Sequence, residues 1–73
     1  MINDRGTAKE ISDLMLELSN RIDESIALVQ ERCSEEEFCR YRLAAGRILG
    51  EVLLEVLNPL YEKHGDLKPP GFD

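Results

Sequence analysis

Cys33, Cys39 and His64 are the thiol and imidazole side chains of this 73-residue chain. They are the first place to look for metal or nucleophilic chemistry. Structural zinc takes four ligands, usually in close pairs of the C-x-x-C kind. Here the cysteines stand six apart and the histidine lies far downstream, so the spacing predicts free thiols and no metal site. A Ser, Cys or Thr nucleophile needs a base and a group to orient it. A single histidine near a proline-rich tail supplies no such arrangement, and the sequence predicts no catalytic residue and no cofactor. Glu51 and Glu55 lie one helical turn apart, but carboxylate sites inside bundles repeat Glu-x-x-His pairs, and none occurs here. They read as a solvated face, with Arg47 four residues before Glu51 to tie to it. Arg32, Arg40, Arg42 and Arg47 gather near Glu35, Glu36 and Glu37, a local charge balance.

Composition narrows the function classes further. The formal net charge of −6 opposes attraction to nucleic acid or to an anionic membrane surface. The densest apolar stretch is broken by Arg47, Glu51 and Glu55, short of the roughly 18 apolar residues that span a bilayer. No basic leader followed by an apolar core and cleavage site opens the chain, so a cytoplasmic setting with reduced thiols is expected. Chains below about 70–80 residues rarely stabilise themselves from one small core, and oligomerisation is one of the usual remedies.

The elements that must position these residues are two helices. Thr7-Ala8-Lys9-Glu10 fits a capping box and predicts a first helix from Ala8, leaving residues 1–6 as a frayed leader. Ile11, Met15, Leu18, Ile22, Ser25 and Val29 form its stripe, widened by Leu14, Ile26 and Leu28, with Leu16 as an exposed outlier. Ser34 with Glu37, flanked by Cys33 and Phe38, predicts a second start, so a short turn near Cys33 folds the two helices into a hairpin. The second helix should run from Glu35 to about Leu57. Asn58-Pro59 then kinks or ends it, with a short restart to His64 stopped by Gly65. Residues 66–73 read as an extended, proline-rich tail of a single domain spanning 1–73.

The second helix carries more apolar surface than one neighbour covers. Tyr41, Ala45, Ile48, Leu49, Val52, Val56 and Leu60 make one stripe. Leu43, Gly46, Gly50, Leu54, Leu57 and Tyr61 make a second line, rotated by roughly a third of a turn or more. Small residues four apart allow close approach of two backbones. The expected architecture is therefore an all-α antiparallel two-helix hairpin pairing into a homodimeric four-helix bundle, with that second line as the dimer interface. Leu60, Tyr61, Leu67 and Phe72 form a second apolar group, a candidate surface for another protein or else the cap of the bundle core.

The stretch from Glu55 to Pro70, EVLNPLYEKHGDLKPP, resembles the C-terminal half of short bacterial proteins of unknown function predicted as helical hairpins. That resemblance implies a helical fold and a bacterial cytoplasmic setting, and it carries no activity across. The expected role is a non-catalytic interaction or regulatory protein. Two other classes stand beside it: a small-molecule or metal-binding bundle, and a small RNA-binding regulator. The plasmid-copy-control RNA binder Rop has the same proposed architecture, an analogy of fold and not of site.

Overall fold

A computed structural model describes residues 1–71, and these are helical with no strand among them. Helix α1 spans Arg5–Arg32 and helix α2 Glu35–Glu51, joined through Cys33 and Ser34. So short a connection folds α2 back along α1. The molecule measures 44 × 20 × 15 Å, close to the length of the 28-residue α1 alone.

Helix α2 starts where its local chemistry dictates. The Glu37 amide donates to the Ser34 hydroxyl at 3.2 Å, and the Ser34 amide donates to Glu37 Oε1 at 3.1 Å, which satisfies two orphan donors reciprocally. Helix α1 begins earlier than Thr7 suggests. Asp4 is its cap, accepting from the Thr7 amide at 2.8 Å and from the Thr7 hydroxyl at 2.6 Å. The physical reason is tertiary. The earlier start lets Arg5 pair with Asp66 at the returning end of the chain, its Nε 2.8 Å from Oδ2. The Ile2 carbonyl also accepts from His64 Nε2 at 2.7 Å, which makes that nitrogen the protonated one. Residues 2–6, expected to fray, are part of the fold.

Three carboxylates at these junctions have pKa values below the ordinary range. Asp4 is lowered by the hydrogen bonds from Thr7, Glu37 by those from Ser34, and Asp66 by those from Arg5. Their folded pKa values lie below the unfolded ones. The stability they contribute is therefore complete above the ordinary carboxylate range and is lost as pH falls through the lowered values. Thermal melts should give a Tm that is flat near neutrality and declines below about pH 4. In Asp66→Asn that acid decline should be shallower; an unchanged acid profile would show that the Arg5 pair contributes nothing.

Beyond Glu51 the helix neither stops nor simply kinks. It passes through a π turn, Val52–Leu57, into helix α3, Asn58–Lys63. The Asn58 amide reaches five residues back to the Leu53 carbonyl, the widened hydrogen bond of a π turn. Pro59 explains part of this, since its ring would clash with the Glu55 carbonyl four residues back in a regular helix. A π turn also takes up one extra residue, turning everything after it by about 100° relative to an unbroken α-helix. Val52 and Leu57, five apart, thus point the same way, and Leu60 and Tyr61 follow.

The core that results lies at the open end of the hairpin, away from the turn. Ala8, Val52, Leu57, Leu60 and Tyr61 form it, with Ile2, Ile11, Met15, Leu16 and Leu67 packed against it. Leu16 is therefore no exposed outlier. The chain after α3 makes a 3-10 turn, Gly65–Leu67, and returns along α1, where Pro69, Pro70 and Gly71 line a shallow groove with Leu16, Ser19 and Asn20. Gly71, with φ of +77°, adopts the left-handed conformation that favours glycine. Phe72 and Asp73 lie outside the described residues.

Two hydroxyl pairs tie α1 to the other arm, one to α3 and one to α2. Buried Ser12 bonds the Tyr61 hydroxyl, and Ser25 shares a 2.6 Å bond with the Tyr41 hydroxyl while donating to the Ile22 carbonyl. Ser25, the weak layer of an apolar stripe, is thus a polar cross-link. No buried side-chain nitrogen or oxygen among the described residues lacks a hydrogen bond.

Candidate functional site

The reactive side chains do not converge. Cys33 and Cys39 are exposed free thiols at the turn, whereas His64 lies at the opposite end of the 44 Å molecule. Among the described residues no group of three or more His, Cys, Asp or Glu side chains is placed to hold a metal ion. Glu51 and Glu55 are both exposed, and so are Arg32, Arg40, Arg42 and Arg47. The Arg42 guanidinium sits 5.8 Å from the centre of the Phe38 ring, a contact that holds it at the surface beside its own helix. The groove along the returning tail, about 420 Å³, is open to solvent, and its Ser19 hydroxyl is already committed to the Met15 carbonyl at 2.9 Å. What the surface offers instead is apolar area.

The π turn divides the expected dimer line in two. Leu43 and Leu54 are 61% and 64% exposed, Gly46 is exposed and Gly50 half-buried. A Cβ added at either glycine would meet nothing within 4 Å, so neither is required for packing inside the chain. Leu57 and Tyr61, by contrast, are only 2% and 6% exposed. They belong to the chain's own core and cannot serve as interface residues, because the extra residue in the π turn rotates them inward. The same correction applies to the second apolar group. Leu60 and Tyr61 are buried and Leu67 is half-buried against the core, so these three seal the end of the hairpin and present no docking surface. Phe72, the fourth member, lies outside the described residues.

A different set of large apolar side chains stays in water. Leu14, Leu18 and Leu28 on α1 and Tyr41 and Ile48 on α2 are all exposed. Each belongs to a stripe read from the sequence as core. That reading is corrected for these five: one partner helix covers only half of so wide a face, and they lie on the uncovered half. The Ser25–Tyr41 bond shows that the two flanks lie on the same side of the hairpin.

The fold defines an all-helical hairpin whose second arm passes through a π turn. Beyond that class, the chain matches no protein-family model, no curated protein and no solved structure. None of its helices, among the described residues, is long and apolar enough to cross a membrane.

Proposed function

We propose that this protein is a non-catalytic homodimer, two hairpins paired into a four-helix bundle, that works as an interaction or regulatory module in the cytoplasm. The observation that supports this reading is the imbalance between what the hairpin buries and what it leaves wet. Among the described residues the buried apolar ones are Ala8, Ala45, Val52, Leu57, Leu60 and Tyr61, and of these only Ala45 stands in the half nearer the turn. Leu28, Tyr41 and Leu43, in that same half, are exposed. A hairpin arm so thinly packed gains stability from a second copy by the same burial that holds a domain together.

Sedimentation equilibrium at micromolar concentration tests the reading. The expected mass is twice the 8.3 kDa of one chain, with helicity falling as dilution dissociates the pair. A single-chain mass with full helicity overturns it. Affinity capture from the native cell then asks whether the dimer carries a protein partner, the outcome that fits a regulatory module.

A further inference from the structure

We infer that the second copy docks on the face made by Leu14, Leu18, Leu28, Tyr41 and Ile48, and that it does so antiparallel, the turn of one hairpin lying against the open end of the other. This rests on the homodimer reading and assigns it a surface other than the line Leu43, Gly46, Gly50 and Leu54. Three observations carry it.

The first is area. The chain exposes 5375 Å², whereas a folded monomer of its mass exposes about 4,600 Å² by the scaling of surface with size. The excess, roughly 800 Å², is about what each partner buries in an interface of standard size. Part of any such excess reflects an elongated shape, and pairing along the long face is what removes it.

The second is the placement of the apolar side chains. Leu14, Leu18 and Leu28 on α1 lie beside Tyr41 and Ile48 on α2, so both helices contribute to one broad face. The opposite side of α1 is occupied, because the returning chain lies against Leu16 and Ser19. Leu43 and Leu54 stand on the back of α2 alone, with no matching residues from α1. A four-helix bundle needs two helices of one hairpin to meet two of the other, and only the first face offers them.

The third is charge. At helical spacing, exposed Glu10 and Glu17 lie on or beside this face in the open-end half of α1; exposed Arg21 and Arg32 lie on it in the turn half, where Glu24 pairs with Arg21 at 3.9 Å. On α2, exposed Arg40 and Arg47 border it near the turn and exposed Glu51 farther along. Exposed Glu36 and Glu37 stand among the basic residues at the turn, Glu37 held by Ser34. Antiparallel pairing brings the turn half, where arginines outnumber glutamates, against the partner's acidic open-end half, whereas pairing turn to turn sets acidic half against acidic half.

The test starts from the dimer mass of the unaltered protein. Leu18→Glu and Ile48→Glu should each raise the dimer dissociation constant about tenfold or more, while Leu43→Glu and Leu54→Glu leave it within about twofold. Leu18→Cys, introduced with Cys33→Ser and Cys39→Ser, should form a disulfide with its own copy under mild oxidation, because residue 18 lies near the middle of α1 and faces itself across the two-fold axis. A monomeric wild type removes the homodimer reading and this surface with it. A dimer that resists Leu18→Glu and Ile48→Glu but dissociates with Leu43→Glu or Leu54→Glu keeps that reading and overturns this face. Loss of the dimer in Leu18→Glu without cross-linking of Leu18→Cys overturns the antiparallel arrangement.

Discussion

Leu60→Ala is expected to destabilise the protein by about 3 kcal/mol, within the range of about 2–5 kcal/mol measured when a fully buried leucine loses its side chain. Leu60 has no exposed surface, and it sits where α3 meets Ala8, Leu57 and Tyr61. The lost apolar transfer energy is joined by the cost of the cavity, which the neighbours fill only partly because they are held from both chain ends. Ile2 is fixed through His64, and Leu67 through the turn that follows it. A domain of this size has a total stability of roughly 4–11 kcal/mol, so one such change removes a large share. Urea melts followed by helical circular dichroism should show the midpoint drop steeply in Leu60→Ala, at unchanged slope. Leu54→Ala should move it little in the isolated chain, since exposed positions away from special features usually stay within about 0.5 kcal/mol. Comparable shifts from the two substitutions would mean that the open-end cluster is not the principal core.

The same cluster explains how much of the fold the sequence reveals. The start of α2 is legible because its determinants are local: Ser34 and Glu37 satisfy each other whatever the rest of the chain does. The start of α1 is not, because two adequate caps, Asp4 and Thr7, compete within four residues. The decision comes from Asp66 and His64, some sixty residues away in sequence. The buried status of Leu57 and Tyr61 is illegible for another reason. Helical periodicity is read by extrapolating one angle per residue, and a single π turn resets the phase by about a quarter of a turn or more without any change in composition. Pro59 marks a disturbance in the helix but does not say whether the chain will break, bend or widen there. Leu16 is misread for a related reason, as its covering comes from the returning tail. The exposure of Leu14, Leu18 and Ile48 is illegible too: the sequence reads all three as core stripe, and only the packing shows that the partner helix leaves them uncovered.

The phase argument yields the second large expected effect. If the π turn exists to absorb one surplus residue, removing a residue inside it should be tolerated, and removing one elsewhere in the same arm should not. Deleting exposed Leu54 shortens the step from Val52 to Leu57 from five residues to four, the spacing of a regular helix, and leaves Leu57, Leu60 and Tyr61 facing α1. The Pro59 ring would then press on the Glu55 carbonyl, so the deletion is best paired with Pro59→Ala, which relieves that clash, worth about 3 kcal/mol in a helix interior. The paired variant is expected to remain fully helical and to melt no lower than Pro59→Ala alone. Deleting Leu43, equally exposed, leaves the π turn in place and rotates the turn-end part of α2 by about 100° against the open-end core. Phe38 and Tyr41 then no longer face α1 when Val52 and Leu57 do, the Ser25–Tyr41 bond cannot form alongside the Ser12–Tyr61 bond, and one end of the hairpin must give way. Circular dichroism and urea melts of the two deletions should therefore differ sharply: native-like unfolding for the paired Leu54 deletion, and a broad, early transition for the Leu43 deletion. Equal tolerance of both would show that the arm carries no fixed phase, and equal damage would show that the widened turn is held by contacts of its own.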